Sequence, residues 1–208
     1  MKPVVSISAL LILAATVISA QAPAATGIRF QLVSESAITI KGTSNVNKFT
    51  CTSSYIQGAG TATSVSNDMS DPDVSADIAA QVKLFDCGNG RMNKDLWNAL
   101  KSDDHPLITY SLDDALAGQL KTDDGDVLSI VASGSLAIAG VDQPIELALT
   151  AKMLDDGMYA ITGQQDVKMS DFGVEPPTAL LGLVKAHDDI TIYFDLRSTT
   201  TLFQSTQE

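Results

Sequence analysis

Two histidines are the side chains in this sequence best suited to acid–base chemistry near neutral pH. His105 follows the pair Asp103-Asp104, and His187 precedes the pair Asp188-Asp189. If the two polar turns met, their imidazole and carboxylate groups could bind a metal ion or share a proton. If they do not meet, these residues are ordinary solvated loop charges, which is the interpretation we favour.

Other catalytic patterns are missing from the sequence. It contains no nucleophile elbow, no zinc-protease helix motif and no glycine-rich phosphate loop followed by a lysine. We therefore predict a non-enzymatic protein with no cofactor and no bound metal.

The charge balance narrows the choice of partners. The chain has 13 Lys and Arg against 25 Asp and Glu, a formal net charge of −12. Such a surface repels the phosphates of nucleic acid and the headgroups of an anionic membrane. Hydrophobic residues make up 45% of the 208 residues but aromatic residues only 5%, so aliphatic side chains must supply the core. We predict a packed, acidic protein that does not bind nucleic acid.

Residues 1–24 have the order of a secretory signal. Lys2 provides a positive start, residues 4–18 form a mostly apolar run, and small residues with cleavage-site spacing follow at 20–24. The apolar run of about 15 residues is short of the ~20 that span a bilayer, and no second run of that length exists. The sequence therefore predicts export with removal of residues 1–24, and no integral membrane segment.

Cys51 and Cys87 both remain after that cleavage. In an exported chain, two cysteines more often form a disulfide than a metal site or a nucleophile. A bridge between them would stabilise the fold by about 4 kcal/mol in the chain-entropy model. Two buried free thiols are the alternative.

From residue 27 onward, apolar and polar residues alternate at the period of a half-buried strand. The clearest run is 190–197, and turns at 123–125, 139–140 and 155–157 each separate two such runs. Strands with one apolar face and one solvent-exposed polar face are typical of antiparallel sheets.

Residues 93–101 depart from this alternation and predict a single helix. Asn93 is the expected cap, while Leu96 and Leu100 lie one above the other at i,i+4 spacing. The polar segment 103–106, which ends in a proline, is expected to stop the helix.

About seven to nine antiparallel strands with one helix and no linker suit a closed barrel or a sandwich. We favour a barrel, because a wrapped sheet has no exposed edge and these strands hold few edge-protecting prolines. Gly134 lies in the long run 126–140 and predicts a bulge or sharp bend. The single domain is expected at 25–198, followed by a flexible tail at 199–208.

Residues 175–184 combine two prolines with a run of leucines. The prolines exclude a central strand, and leucines exposed together would invite aggregation. In the simpler interpretation, Leu180, Leu181 and Leu183 plug one end of the barrel. The alternative is that they form a movable gate over a ligand.

Four segments of the sequence resemble one known family. They are GTSNVNKF at 42–49, MNKDLWNAL at 92–100 followed by PLI at 106–108, GSLAIAGVDQPI at 134–145 and MSDFG at 169–173. Taken in this order they cover nearly the whole mature chain and resemble the YceI-like proteins.

This resemblance implies an exported, lipocalin-like barrel of eight antiparallel strands, some of whose members hold a polyisoprenoid chain inside. The present chain has Asn47 where many members carry a His, so we do not expect a ligand contact of the kind that this His would make.

We therefore hypothesise a periplasmic or secreted barrel that carries or sequesters an apolar small molecule, an isoprenoid or a similar lipid. Burying one isoprene unit of five carbons gains about 4 kcal/mol, whereas association costs about 4–15 kcal/mol, so only a long chain binds well. The candidate ligand-binding residues, taken from the apolar face of the strands and one mouth, are Ile38, Ile40, Phe49, Leu128, Ile130, Leu136, Ile138, Leu147, Leu149, Leu180, Leu181, Ile192 and Phe194.

Plain core packing explains the same apolar residues if the interior is filled. In that case the chain would be an extracytoplasmic interaction or stress-related scaffold that presents its loops to a protein partner. A homodimer is compatible with either function.

Overall fold

Antiparallel strands dominate the computed structural model, which describes residues 25–64, 72–122, 125–179 and 183–205. The proposed signal segment 1–24, residues 123–124 of one expected turn, and the candidate site residues Leu180 and Leu181 lie outside the described residues.

Within these described ranges, eleven strands, one α-helix and two 3-10 turns follow one another. They are β1 (Ala25–Leu32), β2 (Ala37–Ser44), β3 (Lys48–Ser53), β4 (Ile56–Ser64), β5 (Asp73–Gln81), a 3-10 turn (Val82–Leu84), α1 (Gly90–Ala99), β6 (Leu107–Thr122), β7 (Gly125–Ile138), β8 (Val141–Met153), β9 (Tyr159–Lys168), a 3-10 turn (Met169–Phe172), β10 (Thr178–Ala179) and β11 (Val184–Ser205).

The sheet closes on itself through the long strand β11. One side of β11 pairs with β9, and its other side pairs with β2 and then β1. β1 and β2 lie end to end along β11, so together they occupy one strand position of the barrel wall. β4 pairs with β1 and β3 pairs with β2, so β4 and β3 together occupy the next position. With β5 to β9 and β11 this makes eight positions joined in a ring, which confirms the closed eight-stranded antiparallel barrel.

Ser36 spans the break between β1 and β2. Its fully buried hydroxyl accepts a hydrogen bond from the Arg197 N–H at 3.0 Å and donates to the Arg197 carbonyl at 3.2 Å. Arg197 lies on β11 between the stretches that pair with β1 and β2. A side chain therefore replaces the strand–strand hydrogen bonds that the break removes.

The irregularity expected at Gly134 lies in the neighbouring strand instead. β7 runs unbroken from Gly125 to Ile138, while the register shifts in β6 between Leu112 and Asp114, opposite Gly134. A Cβ at Gly134 would overlap the Ser111 carbonyl oxygen. Close approach of the bulged strand, and not a bend in β7, is what this glycine permits.

Helix α1 begins earlier than the sequence analysis predicted. Asn89 is its cap, and its Oδ1 accepts a hydrogen bond from the Met92 N–H at 2.9 Å. Asn93, the predicted cap, accepts from the Cys87 N–H at 2.7 Å instead. Lys101 has a φ of 52° and lies beyond the helix end.

The disulfide between Cys51 and Cys87 is confirmed. It joins β3 to the segment that leads into α1, with Cα atoms 4.0 Å apart. Next to it, Thr52 and Asp86 exchange two backbone hydrogen bonds of 2.9 Å, and Phe85 is 1% exposed. These contacts hold the approach to α1 against one end of the barrel.

Residues 199–205, assigned to a flexible tail by the sequence analysis, continue β11. They pair in register with β1, from Thr199 opposite Gln31 to Ser205 opposite Ala25. The pairing partner lies at the other end of the chain, so local composition did not reveal it. Among the described residues, no helix has the length and apolarity needed to cross a membrane.

Candidate ligand-binding site

A cavity occupies the part of the barrel interior nearest α1. Inward-facing side chains of the strands form its wall, α1 and the turn Met169–Phe172 cover its end, and Val174 and Pro177 complete its border. About 130 Å³ of this space is open to the centre of a water-sized sphere. The barrel interior is therefore not filled from end to end by its own side chains.

Most of the candidate residues from the sequence lie at this cavity. The ones that line it are Ile38, Ile40, Phe49, Leu136, Ile138, Leu147, Leu149, Ile192 and Phe194. They come from strands far apart in sequence, and the closure of the barrel brings their apolar faces together.

Leu128 and Ile130 do not line the cavity. They share the inward face of β7 with Ala132 and Leu136, but they lie toward the end of the barrel away from α1. There they pair with residues of β6 that follow Leu112, the last β6 residue that pairs with β5. Ile130 packs against the hydrophobic core there.

Several lining residues were missed by the sequence analysis. The helix and its approach supply Phe85, Leu96, Ala99 and Leu100, the 3-10 turn and the loop after it supply Met169, Phe172, Val174 and Pro177, and the strands add Ile78, Ala80, Ile108, Thr109, Tyr110, Ile145, Gln165, Val167, Ile190 and Leu196. The i,i+4 spacing of Leu96 and Leu100 and the alternation in 190–197, which includes Ile190 and Leu196, were the available signals for four of them.

Leu183 does not plug the barrel, since its side chain is 75% exposed. Asn45 holds the backbone that follows the Leu183 side chain: the Asn45 Nδ2 donates to the Leu183 carbonyl, and the Lys185 N–H donates to the Asn45 Oδ1, both at 2.9 Å. These two hydrogen bonds hold the segment close to the β2–β3 turn, and the Leu183 side chain points outward.

Polar side chains are few at the cavity. Tyr110 is 9% exposed and its hydroxyl donates to the Ala132 carbonyl at 3.2 Å. Burial, with a smaller effect of the Asp113 charge, raises the pKa of Tyr110 to about 12, so the phenol is neutral at physiological pH. Gln165 faces the cavity from β9.

The two histidines contact different partners. The His105 ring lies directly against Gly140, in the turn between β7 and β8, whereas the His187 Nδ1 lies 2.8 Å from the Thr43 Oγ1. Within the part of the chain that the structure describes, no three His, Cys, Asp or Glu side chains are grouped to hold a metal ion.

The carboxylates beside the histidines serve local structure. Asp103 pairs with Lys83 at 2.6 Å, and this hydrogen bond lowers the pKa of Asp103. The Asp188 carboxylate accepts hydrogen bonds from the Ser170 hydroxyl at 2.6 Å and the Ser170 N–H at 2.8 Å, which lower the pKa of Asp188.

Two solved structures from bacteria have the same fold. A polyisoprenoid-binding domain from Saccharophagus degradans has a TM-score of 0.61 and 12% identity, over 83% of this chain and 98% of that one. BcnA from Burkholderia cenocepacia has a TM-score of 0.57 and 18% identity, over 78% and 95%. No curated protein sequence matches the chain.

The motifs noted in the sequence agree with a match over most of the chain. The family model of the YceI-like domain matches residues 21–198, a range that includes β1 to β10, the first part of β11 and the helix that covers the cavity. The protein belongs to the YceI-like family.

Proposed function

We propose that this protein binds an apolar, isoprenoid-like chain inside its barrel and carries or sequesters it without chemical change. The observation that carries the proposal is the cavity itself: a closed barrel surrounds an open space lined almost throughout by aliphatic and aromatic side chains. An interior filled by its own side chains would instead favour the scaffold function.

The size of the cavity limits the length of the apolar chain that it can hold. The centre of a water-sized sphere can move through 130 Å³, and the space that the sphere itself sweeps is larger. At about 30 Å³ per water-sized group, that space holds on the order of ten carbon-sized groups, or two isoprene units. Burying ten carbons gains about 8 kcal/mol, which is comparable to the association cost of about 4–15 kcal/mol. A ligand held tightly is longer, and side chains at the cavity ends must move to admit it.

Two further observations support the ligand class and the compartment. The similar domain from Saccharophagus degradans is described as polyisoprenoid-binding. The disulfide is typical of an oxidising compartment, in agreement with the secretory pattern of residues 1–24. We therefore place the mature protein outside the cytoplasm.

A side chain added to the helix that covers the cavity tests this function. Ala99 lines the cavity, whereas the adjacent residue Asn98 is exposed on the same helix. We expect Ala99→Phe to fill the space and reduce the affinity for a fluorescent isoprenoid probe at least tenfold, and Asn98→Phe to leave it unchanged. Equal affinities of both variants and the unmodified protein would place the ligand elsewhere.

A further inference from the structure

Two loop tips lie side by side at the end of the barrel that holds the cavity. One is the turn between β2 and β3, and the other leads into β11. The Asn45 N–H donates to the Lys185 carbonyl at 3.1 Å, in addition to the hydrogen bonds of the Asn45 side chain with Leu183 and Lys185. Three hydrogen bonds therefore join residues 45–48 and 183–185, which we call the paired tips.

The paired tips adjoin the border of the cavity. Phe49, which follows the first tip in β3, lines the cavity. Beside the second tip, the Ala186 N–H donates to the Pro177 carbonyl at 3.0 Å, and Pro177 lies on the cavity border. A molecule that crosses this border therefore passes next to the paired tips.

Each tip exposes an apolar side chain. Val46 is 58% exposed and Leu183 is 75% exposed. The Val46 and Asn47 N–H groups both donate to the Ser44 Oγ, at 3.3 and 3.0 Å, so the turn that carries Val46 has a fixed shape. Single exposed apolar residues need no explanation, whereas apolar residues held close together in solvent indicate a contact surface.

The charges of the paired tips indicate what this surface contacts. Lys48 and Lys185 are both exposed, and each follows the exposed apolar residue of its tip by two positions. Although the chain has 25 Asp and Glu, none of them falls within 36–67 or 176–187. Apolar side chains next to lysines suit a bilayer interface, where the apolar groups enter the acyl boundary and the lysines meet anionic headgroups.

The rest of the surface limits contact with such a bilayer. The formal net charge of −12 repels anionic headgroups. Glu175 and Asp188 are the acidic residues nearest in sequence to the second tip, and the Asp188 carboxylate accepts two hydrogen bonds from Ser170. Contact is therefore restricted to the paired tips and is reversible, as a carrier requires.

We propose that the paired tips dock on an anionic lipid bilayer, and that the apolar ligand passes between the bilayer and the cavity at this end of the barrel. This inference rests on the proposed function and identifies the partner with which the carrier exchanges its ligand. Docking places the cavity border against the membrane, so the ligand does not have to cross water.

The test measures how much of the oxidised chain without residues 1–24 sediments with vesicles of equal parts phosphatidylcholine and phosphatidylglycerol at low salt. We expect Leu183→Asp to reduce the partition coefficient about tenfold, because it removes an apolar group from the interface and adds a repelled charge. Leu116→Asp is the matched control: Leu116 is 66% exposed on β6, in the part of that strand away from α1, and the change adds the same charge. Its partition coefficient should equal that of the unmodified protein.

Two further variants test the apolar and the charged residues separately. Val46→Asp should weaken sedimentation as Leu183→Asp does. The double variant Lys48→Gln with Lys185→Gln should reduce sedimentation with these vesicles about fivefold or more, and leave it unchanged with vesicles of phosphatidylcholine alone.

Binding of a fluorescent isoprenoid probe in vesicle-free solution separates this inference from the function on which it rests. All the variants should bind the probe as tightly as the unmodified protein, since none of the changed side chains lines the cavity. No sedimentation of the unmodified protein, which would leave a protein as the partner of the paired tips, overturns the docking inference, and so does equal sedimentation of Leu183→Asp and Leu116→Asp. Either result leaves the carrier standing, whereas failure of the unmodified protein to bind the probe overturns the proposed function and the docking with it.

Discussion

Glycines in this barrel make room for aromatic rings. The Phe49 ring lies over Gly42, its direct partner across β2 and β3, and the Phe30 ring lies over Gly60 in the same way across β1 and β4. A Cβ at either glycine would overlap the ring. Each ring therefore covers the inner surface of the neighbouring strand, and the glycine is required by close packing and not by backbone conformation.

Gly134 and Gly118 provide a matched test of this packing argument on the neighbouring strands β7 and β6. We expect Gly134→Ala to destabilise the fold by about 2–3 kcal/mol, because its methyl group meets the Ser111 carbonyl and lies 3.0 Å from the Tyr110 Cζ. Nothing lies within 4 Å of a Cβ at Gly118, so Gly118→Ala should stabilise by about 0.5–1 kcal/mol. Urea unfolding measures both, and a Gly134→Ala protein as stable as the unmodified one would contradict the packing argument.

At the scale of elements, what could be predicted depended on how local the determining contacts are. The alternation in 190–197 identifies a strand without its partners, because a half-buried strand shows its buried face in its own residues. The predicted start of α1 was wrong because Asn89 and Asn93 are both suitable caps. Asn93 instead accepts a hydrogen bond from the Cys87 N–H, and this contact depends on tertiary structure.

The end of β11 shows the same limit over a longer distance. Thr199, Thr200 and Thr201 are β-branched residues that favour strands, yet their polar character suggested a frayed tail. Their structure is decided by pairing with β1, which lies some 170 residues earlier in the chain. Thr199, for example, pairs with Gln31.

Deleting residues 199–208 tests whether this pairing stabilises the barrel. The deletion leaves β1 paired with β4 and, on the side of β11, through Leu32 and Ser198 only. We expect a loss of several kcal/mol, on the order of 0.5 kcal/mol or more per lost strand pairing. Deleting only 206–208, which keeps all the residues of β11 that pair with β1, is the control, and we expect the stability of this variant to equal that of the unmodified protein. Equal urea midpoints for the two truncated proteins would show that the pairing contributes no stability.

At the scale of the whole molecule, the inward face was readable from the sequence but the cavity was not. Apolar alternation selects the residues that point inward, including Ile40, Leu147 and Ile192. Whether they meet across the barrel axis depends on the strand number and tilt of the closed sheet. The cover formed by α1 and the turn Met169–Phe172 was missed for the same reason, because only the closed barrel brings them to the cavity end.

We expect the interior space of the barrel to be occupied by a molecule other than the protein's own side chains. Native mass spectrometry of the protein released without detergent from the envelope of its producing cells tests it most directly. We expect the mass of the oxidised chain without residues 1–24 plus one apolar organic molecule, and the bare chain for Ala99→Phe prepared in parallel. The bare oxidised mass for both proteins would contradict the account.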